Sequence, residues 1–293
     1  MSESANNRIL SESCNWTMDE LKRRSVESVR NMGLRLGDNP IVALSGGIDS
    51  QAVCLALRDA GIKFKIAIME FNDGLNSHDV DSAKNFCTIK GFEYIIIPHD
   101  ILSFLKNDLS LYVEKYQCPS PQITSHLRLF EILKDDHAAS SIICGGNAPF
   151  IWKDIWCFGS TRSQTAWMTF AKIHNFTLLG NFLSYSLDIA LPIMYSTPGV
   201  TAGMTSELAY QNKIYGLQLA GYDVIPQKQK YTGFEKIKNH FAQITNDGWA
   251  FEKAFRYKYT KVTPEYGSVL ELDDRVSNML STYYSSGQFN KKE

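Results

Sequence analysis

The 293-residue chain has no C-x-x-C pair and no histidine spacing suited to zinc, and its six cysteines (Cys14, Cys54, Cys87, Cys118, Cys144, Cys157) are scattered. That excludes a disulfide framework or a structural zinc site as the organising device, and the cysteines read as reduced core residues. No stretch approaches the roughly 18 uninterrupted apolar residues of a membrane span. Residues 1–13 are polar and lack the apolar core of a signal peptide. The expectation is a cytoplasmic protein with no membrane partner. An excess of one charge is also missing: 30 Lys plus Arg face 31 Asp plus Glu, for a net charge of −1. No whole-molecule field therefore draws the chain to nucleic acid or anionic lipid. Internal repeats and low-complexity tracts are absent. So are G-x-x-x-x-G-K-[ST] and a G-x-G-x-x-G after the first strand, which removes the Walker-type and dinucleotide-binding readings.

What is present is a full core, at 44% hydrophobic and 12% aromatic residues. Residues 15–37 read as a helix, with Thr17 as N-cap, Glu20 as its capping-box partner and Gly37 as the stop. Pro40-Ile41-Val42-Ala43-Leu44 is the short apolar run of a buried parallel strand, and it leads straight into Ser45-Gly46-Gly47-Ile48-Asp49-Ser50. A helix over 49–60 closed by Gly61, a strand over 63–71, a helix over 79–90 closed by Gly91 and a strand over 92–97 follow. This alternation predicts a parallel sheet with right-handed crossovers. Helices over 100–116 and 122–136 precede a fourth strand over 140–144, ending in Gly145-Gly146-Asn147. Helices are further expected over 161–175 and 205–220, with a loop punctuated by Pro192, Pro198 and Gly199 between them. The fold expected is α/β, a doubly wound parallel sheet with a helical C-terminal extension. It divides into a helical preface (1–37), a nucleotide-binding core (38–150) and a mostly helical region (151–293) packed on that core.

The segment 45–50 carries the chemistry. A glycine pair directly after a buried strand lets the backbone turn tightly and gathers N–H groups toward one point, while the following helix offers its positive end. That is a phosphate cradle. Ser45 and Ser50 add hydroxyls, and Asp49 places a carboxylate where it could hold Mg²⁺ against phosphate oxygens. The plain alternative is a strand–turn–helix in which the glycines serve only the turn.

Ser-Gly-Gly-Ile-Asp-Ser resembles the S-G-G-x-D-S signature of the PP-loop ATP pyrophosphatases, whose HUP-like fold serves asparagine synthetases, tRNA lysidine synthetases, 7-cyano-7-deazaguanine synthases and phosphoadenylylsulfate reductases. Asparagine synthetase-like and 7-cyano-7-deazaguanine synthase-like proteins are the members it is most similar to. The resemblance implies that Ser45, Gly46, Gly47, Ile48, Asp49 and Ser50 grip the pyrophosphate of ATP, with Asp49 on Mg²⁺, while attack falls on the α-phosphate. The segment 72–79 resembles the N-H-G-L-R stretch of lysidine synthetases, whose strand edge receives adenine. Met69 and Phe71, with Ile68, would then line the base pocket, and backbone groups would read the base edge. Gly145-Gly146-Asn147-Ala148 resembles the superfamily's second glycine-rich segment, at the α-phosphate and ribose, but lacks its acidic residues and carries Pro149 instead. Lys230, in a stretch similar to the K-x-G-F of asparagine synthetase-like proteins, is implied as the lysine on the departing pyrophosphate, with Lys228 second.

These resemblances imply an AMP- and pyrophosphate-forming ligase. ATP would adenylate a carboxylate or amide-like oxygen of a small-molecule or nucleobase acceptor, and ammonia or an amine would displace AMP. The ammonia would be free or come from a separate glutaminase. Alternatives are a sulfur-transfer or tRNA-modifying enzyme using Cys118 or Cys144, and a non-catalytic adenine-nucleotide sensor. Residues 226–262 hold eight basic against three acidic residues with aromatics interleaved, a pattern open to nucleic acid but read foremost as amphipathic helix. Phe150, Trp152, Trp156, Phe158 and Trp167 are candidates to stack on a planar acceptor.

Overall fold

The computed structural model describes residues 15–116, 118, 120–146, 148–152, 155–157, 161–197, 206–227 and 236–237; for 150–152, 155–157, 161–165 and 206 only the backbone is described. In chain order the elements are α1 (Met18–Gly33), β1 (Pro40–Ala43), α2 (Ile48–Asp59), β2 (Lys65–Phe71), α3 (Ser77–Lys90) and β3 (Tyr94–His99). A helical turn (Ile101–Ser103) and a π-helical segment (Phe104–Asp108) lead into α4 (Leu109–Tyr116). Then come α5 (Pro121–Asp135), β4 (Ser141–Cys144), the hairpin β5 (Phe150–Trp152) and β6 (Ile155–Cys157), α6 (Thr161–His174), β7 (Thr177–Leu179), α7 (Leu187–Ser196) and α8 (Ser206–Leu219).

Five strands form one parallel sheet in the order β3-β2-β1-β4-β7. Side chains alternate across it, as the period of two requires. Val42, Leu44, Ile66, Ile68 and Ile143 enter a core with α1, α2, α3, α7 and α8. Ile41, Ala67, Phe71, Ile97 and Ile142 enter another with α4, α5 and α6. The chain therefore crosses one face of the sheet through α2 and α3, and the other through α4, α5 and α6. The reversal lies between β1 and β4, where adjacent strands feed helices on opposite faces and leave a crevice at their carboxyl ends. The expected doubly wound parallel sheet is the observed fold.

Three expectations need correction. The first helix stops at Gly33, and Gly37, at φ +76°, belongs to the turn into β1. Its capping box is half formed: the Thr17 side chain accepts from the Glu20 N–H at 3.2 Å, but the Glu20 carboxylate is held by Arg23 at 2.8 Å. The expected loop around Pro192 is helix α7. From Ile189 to Ser196 every residue is buried, and it packs on α1 through Arg24–Asp188 at 3.1 Å and Ser28–Ser186 at 2.8 Å. Pro192, inside the helix, removes the N–H that would bond the Asp188 carbonyl, and burial of this largely apolar stretch outweighs that loss. The sheet also runs beyond residue 150, because β7 pairs with β4 from Ser141↔Thr177 to Ile143↔Leu179. Three residues are too short to carry a periodic signal. Among the described residues, no helix is long and apolar enough to cross a membrane.

On the α4–α5–α6 side a polar cluster ties the helices together. The Glu131 carboxylate accepts from the Tyr112 hydroxyl, from Tyr116 at 2.6 Å and from Lys115 at 2.7 Å, and Tyr116 also meets His174 Nε2 at 2.8 Å. Burial alone would raise the Glu131 pKa, but these donors outweigh it and hold the group below its ordinary 4.5. A carboxyl whose pKa is lowered by folding stabilises the protein above its unfolded value and loses that contribution as pH falls through the folded one. Urea unfolding at successive pH values should therefore show stability dropping from about pH 4.5 downward. Glu131→Gln should be less stable at neutral pH and flatter over the acid range.

Candidate functional site

The crevice at the β1/β4 reversal opens into a cavity of about 390 Å³. Its floor is the predicted loop, and the backbone there is fixed by contacts that only glycine permits. Gly46 has φ +81°, and a Cβ on it would stand 2.4 Å from the Asp79 carbonyl oxygen and 3.2 Å from the Ala83 nitrogen, both main-chain atoms of α3. Its carbonyl accepts from Gln51 Nε2 at 2.8 Å and Ser82 Oγ at 3.1 Å. Gly145, at the end of β4, lies against the opposite side of the loop: a Cβ there would meet the Ser50 nitrogen at 2.8 Å and the Asp49 carbonyl carbon at 2.9 Å. The loop is thus clamped between α3 and the β4 end.

Gly47 is the N-cap of α2 and has an ordinary φ of −70°, with no side chain to cap the first turn. The first N–H groups of the helix are left for a ligand, and the dipole favours an anion there. The two serines divide the work. Ser50 is buried, donates to the Gly47 carbonyl at 2.9 Å and accepts from the Ser45 N–H at 3.3 Å, so its hydroxyl closes the loop. Ser45 is exposed, and its hydroxyl, 3.2 Å from that of Ser50, faces the cavity.

Asp49 lines the cavity with each carboxylate oxygen engaged: Oδ1 accepts from the Ala148 N–H at 3.0 Å and Oδ2 from Lys213 Nζ at 2.7 Å. Lys213, on α8, is a candidate site residue that the sequence reading does not single out. It sits on the inward stripe of α8, with Tyr210 three positions before it and the buried Ile214 and Leu217 after it. A lysine at such a position must reach a partner or leave a charge among apolar groups. That inward placement was the available signal.

Gln51 was missed as well. It is wholly buried and clasps Ile225, donating to its carbonyl at 3.0 Å and accepting from its N–H at 2.7 Å. This brings the chain after α8 back to the loop, where Gln227 lines the cavity and contacts Asp79 at 3.4 Å.

Met69 and Phe71 line the cavity from β2, with Ile68 beside them. The expectation that their backbone groups read a base edge is corrected by Asn76, which accepts from the Phe71 N–H at 2.8 Å and donates to the Met69 carbonyl at 2.9 Å. Past Ala67 this edge has no β1 partner, and the asparagine side chain supplies the missing strand. Opposite, α5 presents Gln122 and His126, one turn apart, and Leu129, Phe130, Cys144 and Trp167 complete the wall. Burial pushes the His126 pKa down to about 4, so the imidazole is neutral at physiological pH.

Of the predicted site residues, the cavity brings together Ser45, Gly47, Ile48, Asp49, Ser50, Met69, Phe71, Gly145 and Gly146, with Gly46 beneath them. Asn147, Lys228, Lys230 and Phe158 lie outside the described residues, as do the side chains of Phe150, Trp152 and Trp156. Among the described residues, no three His, Cys, Asp or Glu side chains gather as a metal site.

The two loop glycines differ in a measurable way. Gly46→Ala should destabilise the fold by about 1–3 kcal/mol or more, since a β-carbon cannot enter the α3 backbone. In Gly47→Ala the new carbon would meet only Ser45 Oγ, at 3.6 Å. Urea unfolding should place that variant within about 0.5 kcal/mol of the parent.

No protein-family model matches the sequence, and no curated protein matches it. Among solved structures, the chain is similar to an NH3-dependent NAD synthetase from Campylobacter jejuni at 16% identity and TM-score 0.39, over 95% of this chain and 98% of that one. It is similar to a U34-tRNA thiolase with a [4Fe-4S] cluster from Methanococcus maripaludis at 13% identity and TM-score 0.40, over 88% and 86%. It is also similar to an NMN synthetase from Francisella tularensis at 16% identity and TM-score 0.37, over 86% and 100%.

Proposed function

We propose that the chain is an ATP pyrophosphatase of the PP-loop type, which adenylates an acceptor oxygen and releases pyrophosphate. The observation that carries this reading is the uncapped start of α2 behind Ser45-Gly46-Gly47, opening into the cavity at the sheet reversal beside a lysine-paired aspartate. Triphosphate would lie over the Gly47 end of α2, and the base would lie toward Ile68, Met69 and Phe71. An acceptor oxygen then attacks the α-phosphorus, and the α–β P–O bond breaks, its electron pair leaving with pyrophosphate. Ammonia or an amine displaces AMP from the adenylate, in the manner of an asparagine synthetase-like ligase. Of the region after residue 150, Lys213 and Gln227 would stand at the phosphate side, on Asp49 and Asp79, and Trp167 on the opposite wall.

Each oxygen of Asp49 accepts one hydrogen bond and keeps a further lone pair, so the residue fits a single Mg²⁺ held chiefly by phosphates. Such an ion would supply charge neutralisation on the phosphates. Lys213 is poised to do the same from the protein side, since phosphate oxygens at the α2 terminus would compete with Asp49 for its ammonium. Lys230 follows the cavity residue Gln227 by three positions and is a second candidate. The sulfur-transfer alternative needs a thiolate. Among the described cysteines only Cys144 lines the cavity, and burial pushes its thiol well above the ordinary range.

Pyrophosphate release with ATP and Mg²⁺ across candidate acceptors tests the reading. Lys213→Met should lower turnover on the order of 10²-fold, as loss of a preorganised charge does. Gly47→Ala should weaken ATP binding while leaving stability nearly unchanged. Tight ATP binding with no release for any acceptor would replace this reading with a nucleotide sensor.

A further inference from the structure

The cavity has a loop end and a base end. Ser45, Asp49 and the first turn of α2 form the loop end, with Asp79 of α3 lining the same cavity. The base end is where β2 stops, at Ile68, Met69 and Phe71. A planar base entering there meets a strand edge that is already closed. Asn76 accepts from the Phe71 N–H at 2.8 Å and donates to the Met69 carbonyl at 2.9 Å. Asn76 is 6% exposed, so displacing it would strip partners from two main-chain groups in a buried place. The edge of the base is left to a side chain of the facing element, α5.

From α5, His126 borders the cavity one turn after Gln122. It lies on the β2–β3 side. Burial is the main cause of the lowered His99 pKa, and Arg128 and His126 are close enough to add to it. His99 is in turn the register partner of Phe71, with the two ring centroids 5.8 Å apart. The His126 side chain is half-buried and keeps accessible surface where it borders the cavity. Burial pushes its pKa down to about 4, so at physiological pH the ring carries one N–H and one free lone pair. Among the described residues none forms a hydrogen bond with it. The helix that presents it is well anchored. Ser120 caps α5 through the Ile123 N–H at 3.4 Å, and Leu127, Phe130 and Leu133 are buried in the core. A polar group on a fixed element, facing a cavity with its hydrogen-bonding capacity unspent, is what recognition of a ligand edge requires.

We infer that His126 recognises the nucleobase of the bound nucleotide, through a hydrogen bond between its imidazole and the edge of adenine. This rests on the reading that ATP places its phosphates at the loop end. The neutral ring accepts from the exocyclic amine of adenine or donates to one of its ring nitrogens. Guanine, cytosine and uracil present other patterns of donors and acceptors at that edge, so the contact discriminates among bases. The phosphate groups lie beyond its reach and are bound independently of it.

Calorimetric titration of the full chain in the presence of Mg²⁺ tests this, with α,β-methylene-ATP, the corresponding guanosine, cytidine and uridine analogues, and inorganic tripolyphosphate. The unmutated protein should bind the adenosine analogue most tightly. His126→Leu should weaken that binding about five- to tenfold, the loss of one hydrogen bond, and narrow the differences among bases, with tripolyphosphate unaffected. His126→Gln or His126→Asn, whose amide stands near one or the other ring nitrogen, should recover part of the loss. On the unmutated protein, the imidazole nitrogen resonance that is missing from His126→Gln should move with the adenosine analogue and stay in place with tripolyphosphate. That shift decides the question if His126→Leu fails to fold. An unchanged base preference in His126→Leu, an equal weakening of tripolyphosphate, or a His126 resonance indifferent to the nucleotide overturns the inference. Binding of tripolyphosphate with no preference among bases also overturns it and leaves the loop reading standing. Failure of tripolyphosphate and every nucleotide to bind overturns the ATP reading itself.

Discussion

The main chain at Gly46 runs against the first turns of α3 with no room for a β-carbon, and Gly145 closes on the loop from the β4 side with the same lack of room. Between these two approaches the loop has one available path, and its consequences spread outward. The Gly46 carbonyl is turned to Gln51 and Ser82, so Gln51 is held in place to clasp Ile225. The chain after α8 is thereby drawn to the cavity edge. Asp49, one residue into the first turn of α2, is aimed at both Ala148 and Lys213. A shift of an ångström at Gly46 would reach α3, the β4 end and α8 together, because close-packed interiors transmit displacement and do not absorb it.

The Lys213–Asp49 pair is the electrostatic counterpart of that steric clamp. Both side chains are largely buried, at 20% and 14% exposure, so their attraction is screened less than that of surface pairs such as Arg23–Glu27. A pair of this kind gives limited net stability, since desolvation offsets most of the attraction. Its value lies in placement: it holds an ammonium at the mouth of an uncapped helix, where an anion is favoured. A polyphosphate bound as proposed would meet a lysine already desolvated and oriented, and the aspartate would retain the Ala148 N–H.

The sheet and the loop were legible because their signals are local. A strand of apolar residues, a glycine pair and a helix follow one another within 40–60, and each step is enforced by neighbours a few residues away. Other features depended on distant partners. Nothing near Pro192 announces a helix; α7 forms because α1 and the core bury it. Asn76 reads as a turn residue, and only the missing strand beside β2 makes its amide a surrogate partner for Met69 and Phe71. Lys213 stands 164 positions from Asp49, so no motif could join them, though its place on the apolar stripe of α8 marked it as unusual. The motif likeness that points to Lys230 carries no information about an inward-facing lysine on α8.

The charge balance of the cavity bears on how the two ends work together. Asp49 and Asp79 are both negative, yet the ligand proposed for that end carries more negative charge than either. Such a ligand is tolerable only because the α2 N–H groups, the Ser45 hydroxyl and Lys213 converge on one place, and because Gln227 and the two hydrogen-bonded oxygens of Asp49 spread the carboxylate charge. Among the described residues, Leu129 and Phe130 of α5 and Trp167 of α6 add no charge to the wall of the cavity. Among those residues, compensation of a bound anion therefore falls to the groups gathered at the loop, which ties the cavity's chemistry to the backbone path that Gly46 and Gly145 impose.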